Sequence, residues 1–599
     1  MKRNLICALL VTLFILKVVR AQEINVTNFA VQPNSFTDAT KGVAKAIEAC
    51  EKQGASLLYF PEGRYDFWPD EAEERVYYIT NTSSEAEYPS KKQRAGLLLR
   101  HLKNITIEGN NSLFIFHGKM ISWLLDSCEN ITLQNIRVDY ERPGTSEMTI
   151  RHSDATGVIA DIHPDSKFAI IDNHLVWYGD KWISEHFFAI NVDSIKGLNT
   201  YSSWEPFRNS KAVKVGPHTV QFMGDFSSFH AAPGSILTIR DHYRDYVGAF
   251  HNRSKNIQLK NIHMHYMHGL GIVSQFTENL FFDSVFIKPA EQSGRVIASS
   301  ADGMQFSGCK GQIMINNSFL SGMHDDGINV HGTHLQIVKK INDHQLRLRF
   351  MHDQTYGFKA FSAGDSIAYV HAPSLKILGE AVIKAATLLN PKEMEVEIDG
   401  IIPADLKEGD ALENISWTPS FTLKNSHIQG TNTRGVLVTT RRKIWIENNT
   451  FYRTGMHAIL VEDDATGWYE SGPVTDMTIQ HNVFRECGYN ASPNNYVIQI
   501  SPHYSETLPD HWIHHNIRIK NNTFYIYDYP ILSALSTKGL SFTDNQVIRT
   551  DFLPKGKKRA AFQFIDCTDI RLMHNQFQWE EKPEISLENM KKGDLKADF

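Results

Sequence analysis

NITLQNIRV (Asn130–Val138), NIQLKNIHM (Asn256–Met264), IWIENNTF (Ile444–Phe451) and IRIKNNTF (Ile517–Phe524) are variations on one unit, and related units begin at Met314, Met477, Leu540 and Ile570. Each alternates apolar and polar residues, turns at asparagine, and resumes with a large apolar side chain. Alternation of period two makes such a unit a short strand with one buried face. A strand this short cannot bury that face alone, but many of them stacked coil upon coil share one continuous core. The Asn-x-apolar step recurs at Asn317, Asn449, Asn482, Asn522, Asn545 and Asn575, with several intervals in the range that marks solenoids. The fold class that follows is all-β, a right-handed parallel β-helix in which equivalent asparagines hydrogen-bond as a ladder. Asn130, Asn316 and Asn521 also begin Asn-x-Ser/Thr sequons. The ladder is the preferred reading, because the position recurs without Ser or Thr at Asn482.

A second strand of each coil aligns as ADGMQFSG, DDGINVHG, TRGVLVTT and MHAILVED. This puts Asp302, Asp326, Arg434 and His457 in one column and Met304, Ile328, Val436 and Ile459 in the next, inward one. Two stretches break the repeat, 150–245 and 334–418. Their short alternating strands with Gly, Asp, Asn and Pro turns predict inserted antiparallel barrels or sandwiches. Near the start, TKGVAKAIEACEKQGA follows Thr37-Asp38 with apolar residues at Val43, Ala46, Ile47 and Cys50, predicting a helix that caps the open end of the solenoid. The expected organisation is an export signal at 1–21, β-helix at 22–149, an insertion at 150–245, β-helix at 246–333, a second insertion at 334–418, β-helix at 419–580, and a tail at 581–599.

The signal reading rests on Lys2 and Arg3, the apolar run Leu5–Val19 and the small-residue site before Gln22. It predicts a periplasmic, cell-surface or secreted protein. No later stretch is long and apolar enough to span a bilayer. A net charge of −6 leaves no basic field for nucleic acid. Without Cys7, five widely spaced cysteines remain and no Cys-x-x-Cys pair, which argues for buried thiols over a disulfide framework or a zinc site.

Ser300–Gly332 carries the chemistry: Asp302 in SADG and Asp325-Asp326 in HDDG one coil later. Parallel strands stack at about 4.8 Å, so Asp302 and Asp326 should lie close together while Asp325, in the turn, points elsewhere. Clustered carboxylates raise one another's pKa, as acid–base catalysis requires. An inverting glycosidase needs an acid at the leaving oxygen and a base holding water, roughly 6.5–9.5 Å apart. Stacked Asp302 and Asp326 are too close to flank a sugar and would jointly hold the water as general base. Asp325 is left as general acid, its pKa raised by its two neighbours. Read only as turn formers, the Asp-Gly pairs would shape corners and nothing more.

Asp38, the AIEAC helix and Phe60-Pro61-x-Gly63-x-Tyr65 resemble the start of pectate-lyase-superfamily and polygalacturonase-like enzymes. The lone Asp followed by an Asp pair is similar to the polygalacturonase family, whose first Asp of the pair is the acid. That family's Gly-His-Gly is absent after the pair, and Arg518-Ile519-Lys520 sits several coils later as surface charge around a core Ile. DYERPGTSEMTI (Asp139–Ile150), SADG, HDDGINVHG, TRGVLVTTRRK and the two insertions resemble, over nearly the whole chain, the α-1,3-galactosidases of glycoside hydrolase family 110. The resemblance implies an inverting exo-galactosidase that needs no metal or other cofactor. Its partner would be a glycan ending in α-1,3-linked galactose, of blood-group-B type or linear. It places the acid at Asp325 and the water-holding carboxylates at Asp302 and Asp326.

Arg434, His457, Glu462 and Trp468 are candidates for binding the sugar. His268, His324 and His331 lie near the same segments without the spacing of a metal set. Two other readings use the same fold: a uronate lyase, with Ca²⁺ and an Arg or Lys base beside an acidic sugar, and a carbohydrate-binding β-helix without turnover.

Overall fold

The computed structural model describes residues 22–202, 205–241, 243–490, 495–579 and 581–599. The expected export signal at 1–21 lies outside the described residues. A full coil contributes three strands, for example Met304–Ser307, Lys310–Asn316 and Phe319–Met323. Equivalent strands of successive coils pair in parallel and in register, Met304 with Ile328, Ile328 with Val436, and Val436 with Ile459. These four side chains are fully buried in one hydrophobic core that runs the length of the solenoid. Each Val or Ile so placed contributes roughly 1.5–3 kcal/mol. The sense is right-handed, as crossovers between parallel strands are in about 98% of cases.

The corner between the second and third strands carries the ladder. Asn449 donates its backbone N–H and its amide to Asn482 Oδ1 at 2.9 and 3.0 Å, and the same pair of bonds links Asn482 to Asn522 and Asn522 to Asn545. Asn575 closes it. Asn317 does not belong to it. Register pairs Phe319 with His427 and His427 with Thr450, so the ladder positions one and two coils before Asn449 are Ser426 and Ser318, not Asn317. Their hydroxyls take over the backbone N–H of the coil before. The Asn-Ser-Phe of this coil is displaced by one residue from the later Asn-x-apolar steps, leaving Leu320 inside and Phe319 stacked on His427. A second, more exposed ladder links Asn104, Asn130, Asn256 and Asn279.

The capping helix spans Thr40–Gln53 and buries Val43, Ala46, Ile47 and Cys50 against the first coil. Asp38 accepts the Thr40 N–H at its start, and Gly54 ends it with φ 63°. At the other end, 581–599 is no loose tail. Ile585–Glu588 and Leu595–Ala597 add a last coil in parallel with Phe562–Ile565 and Thr568–Met573, and Ile585, Leu595 and Phe599 cover the core. Its strands are too short to announce themselves by alternation. The five cysteines after Cys7 are free and buried.

The first insertion is an antiparallel seven-stranded sheet between Thr145–Asp154 and Ile236–Arg240, backed by a three-stranded sheet around its own core of Trp177, Phe207 and Phe222. In the second, the long strand Ile328–Asn342 runs out of the solenoid and pairs with Gln345–Arg349. The circuit continues through Glu393–Asp399, Lys376–Asn390, Ser366–His371 and Ala411–Asn414 back to the first strand, closing a six-stranded barrel.

Asn482→Ala strands buried N–H groups on the neighbouring coil and is expected to cost about 3 kcal/mol, whereas the exposed Asn130→Ala costs under about 1 kcal/mol. Urea denaturation of the two variants measures the difference.

Candidate active site

The expected column is present, and glycine is the reason it is tight. Gly303, Gly327 and Gly435 each follow a column residue, and a Cβ on any of them would meet a carbonyl oxygen of the next coil at 2.5–2.7 Å. None of the three has a positive φ. They are there for close approach, not to turn the chain. Through this contact Gly303 N–H donates to Asp326 O, Gly327 N–H to Arg434 O and Gly435 N–H to His457 O, at 2.9–3.0 Å. Asp302, Asp326 and Arg434 are thereby held one above another.

A cavity of about 150 Å³ opens over the column, and Asp302, Asp325, Asp326, Arg434, Glu462 and Trp468 all line it. Asp326 is almost fully buried. It accepts the Arg434 N–H at 2.9 Å and the Thr433 hydroxyl at 2.5 Å, and its other oxygen is 2.9 Å from the Arg434 guanidinium. Asp325 lies 3.0 Å from Arg244 and 2.9 Å from the same Thr433 hydroxyl. Its side chain is 22% exposed against 1% for Asp326. Trp468 stacks on His352 of the second insertion with ring centroids 3.9 Å apart, and Glu462 faces His503 at 3.5 Å.

His457 keeps its place in the column but is not among the residues lining the cavity. Its ring is buried beside Arg434 with Nδ1 2.7 Å from the Tyr496 carbonyl. His324 bonds Thr238 of the first insertion, His331 its neighbour Gly332, and His268 packs on Tyr140 and Tyr266. Among the described residues no group of three or more His, Cys, Asp or Glu is arranged to hold a metal ion. Arg518 and Lys520 flank buried Ile519 on an outer strand, where Arg518 pairs with Asp476.

Six lining residues were missed: Asn81, Arg244, Asn329, Leu437, Glu470 and His503. Asn329 was readable, since alternation turns it outward between Ile328 and Val330. Its Oδ1 is buried without a partner. Glu470 begins the short strand Glu470–Ser471 just after Trp468 and is held by Asn81. Arg244 and Asn81 carry no local signal; one leaves the first insertion and the other follows strand Glu74–Val76.

The charges depart from expectation. Burial, then the charges of Asp325 and Asp326, push Asp302 well above the usual carboxylate range. Burial also lifts Asp326, against the pull of Arg434, to about 7. Asp325 goes the other way. Burial opposes its charge, but Arg244, Arg434, the Thr433 hydroxyl and Arg240 outweigh burial and hold it below the usual range. The expectation of a raised Asp325 is therefore corrected for the free site, because Arg244 was invisible in the sequence.

For Asp302 and Asp326 the folded pKa exceeds the unfolded one, so they favour the fold most below about pH 4 and progressively less as pH rises towards and past 7. Asp326→Asn is expected to melt above the parent at pH 8, with the gap closing near pH 4; scanning calorimetry at the two pH values measures it.

Family models match over both insertions and the later coils: GLAA-B beta-barrel domain I at 146–237, GLAA-B beta-barrel domain II at 345–412, and the right handed beta helix region at 412–578. Alpha-1,3-galactosidase A of Bacteroides fragilis is 42% identical over 96% of this chain and 95% of its own. Alpha-1,3-galactosidases A and B of Bacteroides thetaiotaomicron are 36% and 33% identical, covering 94% and 100% of this chain and 98% and 97% of theirs. Among solved structures, the mannuronan C-5 epimerase AlgE4 A-module of Azotobacter vinelandii aligns with a TM-score of 0.40 at 8% identity, covering 96% of this chain and 100% of its own.

Proposed function

The chain belongs to the α-1,3-galactosidase family, and on that premise we propose that it removes terminal α-1,3-linked galactose from glycans, blood-group-B-type or linear, by single-step inversion. The observation that carries this reading is the small cavity enclosing three aspartates from adjacent coils. At about 150 Å³ it is well below the roughly 300–1,000 Å³ of drug-sized sites and suits one sugar ring, hence exo action.

Asp325 is the proposed acid. A galactose entering with its non-reducing end first leaves its anomeric oxygen towards the mouth, and Asp325 is the more exposed member of the Asp325–Asp326 pair. Its proton is held deeper in the free site and reaches it when the glycosidic oxygen takes the place of Arg244. Asp302 and Asp326 hold the attacking water. Glu462, Glu470 and Asn329 Oδ1 supply acceptors for the sugar hydroxyls, and the exposed Trp468 ring an apolar face. Arg434 favours the hydrolase over a uronate lyase. Its guanidinium is committed to Asp326, and the surrounding carboxylates outweigh burial and raise its pKa, so it is no base.

Proton NMR of a fresh digest of galactosyl-α-1,3-galactose is expected to reveal β-galactose first; α-galactose first would overturn inversion. Asp325→Asn and Asp302→Asn are each expected to lower kcat by roughly 10²–10⁴-fold while staying folded. We also propose export, on the apolar amino-terminal run after Lys2 and Arg3; amino-terminal sequencing of exported protein is expected to start at Gln22.

A further inference from the structure

We propose that the Thr433 hydroxyl is a proton relay that passes the proton gained by Asp326 back to Asp325, re-arming the acid after each turnover. The inference rests on the inverting reading above and deepens it, because it selects Asp326 over Asp302 as the base.

The contact pair is unusual. Thr433 Oγ is 2.9 Å from Asp325 Oδ1 and 2.5 Å from Asp326 Oδ1. A hydroxyl has one hydrogen and donates to one carboxylate only. When one carboxyl of the pair is protonated it can donate to the hydroxyl oxygen while the hydroxyl donates to the other, so the geometry offers a path for one shared proton. Exchanging the two O–H···O bonds moves that proton between the carboxyls, and Thr433 ends with the hydrogen count it began with. Thr433 and Asp326 are both nearly fully buried, so bulk water is kept from this path.

The cycle balances. Asp325 gives its proton to the glycosidic oxygen as the C1–O bond breaks, with the electron pair going to oxygen. The water oxygen bonds to C1, and Asp326 takes the proton the water loses. Asp325 is now ionised and Asp326 protonated. This is the charge state of the free site; when the next glycosidic oxygen takes the place of Arg244, Asp326 donates to Thr433 Oγ while the Thr433 hydrogen passes to Asp325, arming the acid without solvent. Strand pairing across Ile328 and Val436 fixes Thr433 beside the aspartate doublet, although 107 residues separate it from Asp326 in sequence.

The test compares Thr433→Ser and Thr433→Val on galactosyl-α-1,3-galactose and on α-galactosyl fluoride. Fluoride leaves with its electron pair and needs no acid, so Asp325 keeps its proton; the proton that Asp326 takes from the water then passes to solvent through the cavity it lines as galactose leaves, a route that does not use Thr433. Thr433→Ser is expected within threefold of the parent on the disaccharide. Thr433→Val should lose roughly 100-fold in kcat on the disaccharide, with a loss on the fluoride at least tenfold smaller. Thr433→Ala gives the same reading should the valine variant not fold. Equal losses on both substrates would make the hydroxyl a mere support for the base, and no loss on the disaccharide would remove the relay. A parent enzyme that releases no galactose from the disaccharide would instead overturn the functional reading itself.

Discussion

Close contact between the backbones of neighbouring coils at Gly303, Gly327 and Gly435 is the constraint on which the site depends. A side chain at any of the three would push the coils apart, because the atom it meets is a carbonyl oxygen and cannot move aside. With hydrogen only, the coils close to ladder distance, and the residue before each glycine is carried to the same edge of the sheet. The solenoid thus converts a spacing in sequence into a stack of side chains. Two carboxylates and a guanidinium result, and the long core behind them supplies the stability that such a stack consumes.

The insertions complete what the solenoid begins. Arg244 comes from the segment leaving the first and binds Asp325; His352 comes from the second and backs Trp468. Without them the aspartates would lie on an open sheet edge in water. Enclosed, they sit at low effective dielectric, where burial raises Asp302 and Asp326 while Arg244, Arg434 and Arg240 together with the Thr433 hydroxyl keep Asp325 ionised. Asp325 and Asp326 are neighbours in the chain, yet their proton affinities move in opposite directions because they face different partners. In the free site the proton therefore rests on the Asp326 side of the pair, and Asp325 acts as acid only once the proton has been passed across.

The periodic parts of the molecule were legible for a physical reason. Inward positions must be apolar and corners must satisfy their own hydrogen bonds, so alternation and asparagine write the coil into the sequence directly. Register followed, and with it the column Asp302, Asp326, Arg434. Where a corner used serine in place of asparagine, at Ser318 and Ser426, the same logic pointed one residue away, to Asn317. The last coil escaped notice because its two strands are short. His457 was placed in the right column, but a column fixes where a residue sits, not whether its ring reaches the cavity or turns to a buried carbonyl.

What the sequence determined by itself is therefore whatever depends on local periodicity: strand, corner, stacking order and the identity of the three aspartates. Tertiary structure alone decided the electrostatics and the lining. Arg244 lies 81 residues from Asp325 and Asn81 389 residues from Glu470, distances over which no local pattern runs. A pKa depends on every charge within a few ångströms, whichever part of the chain brings it there, and that proximity exists only once the coils and insertions have folded around one cavity.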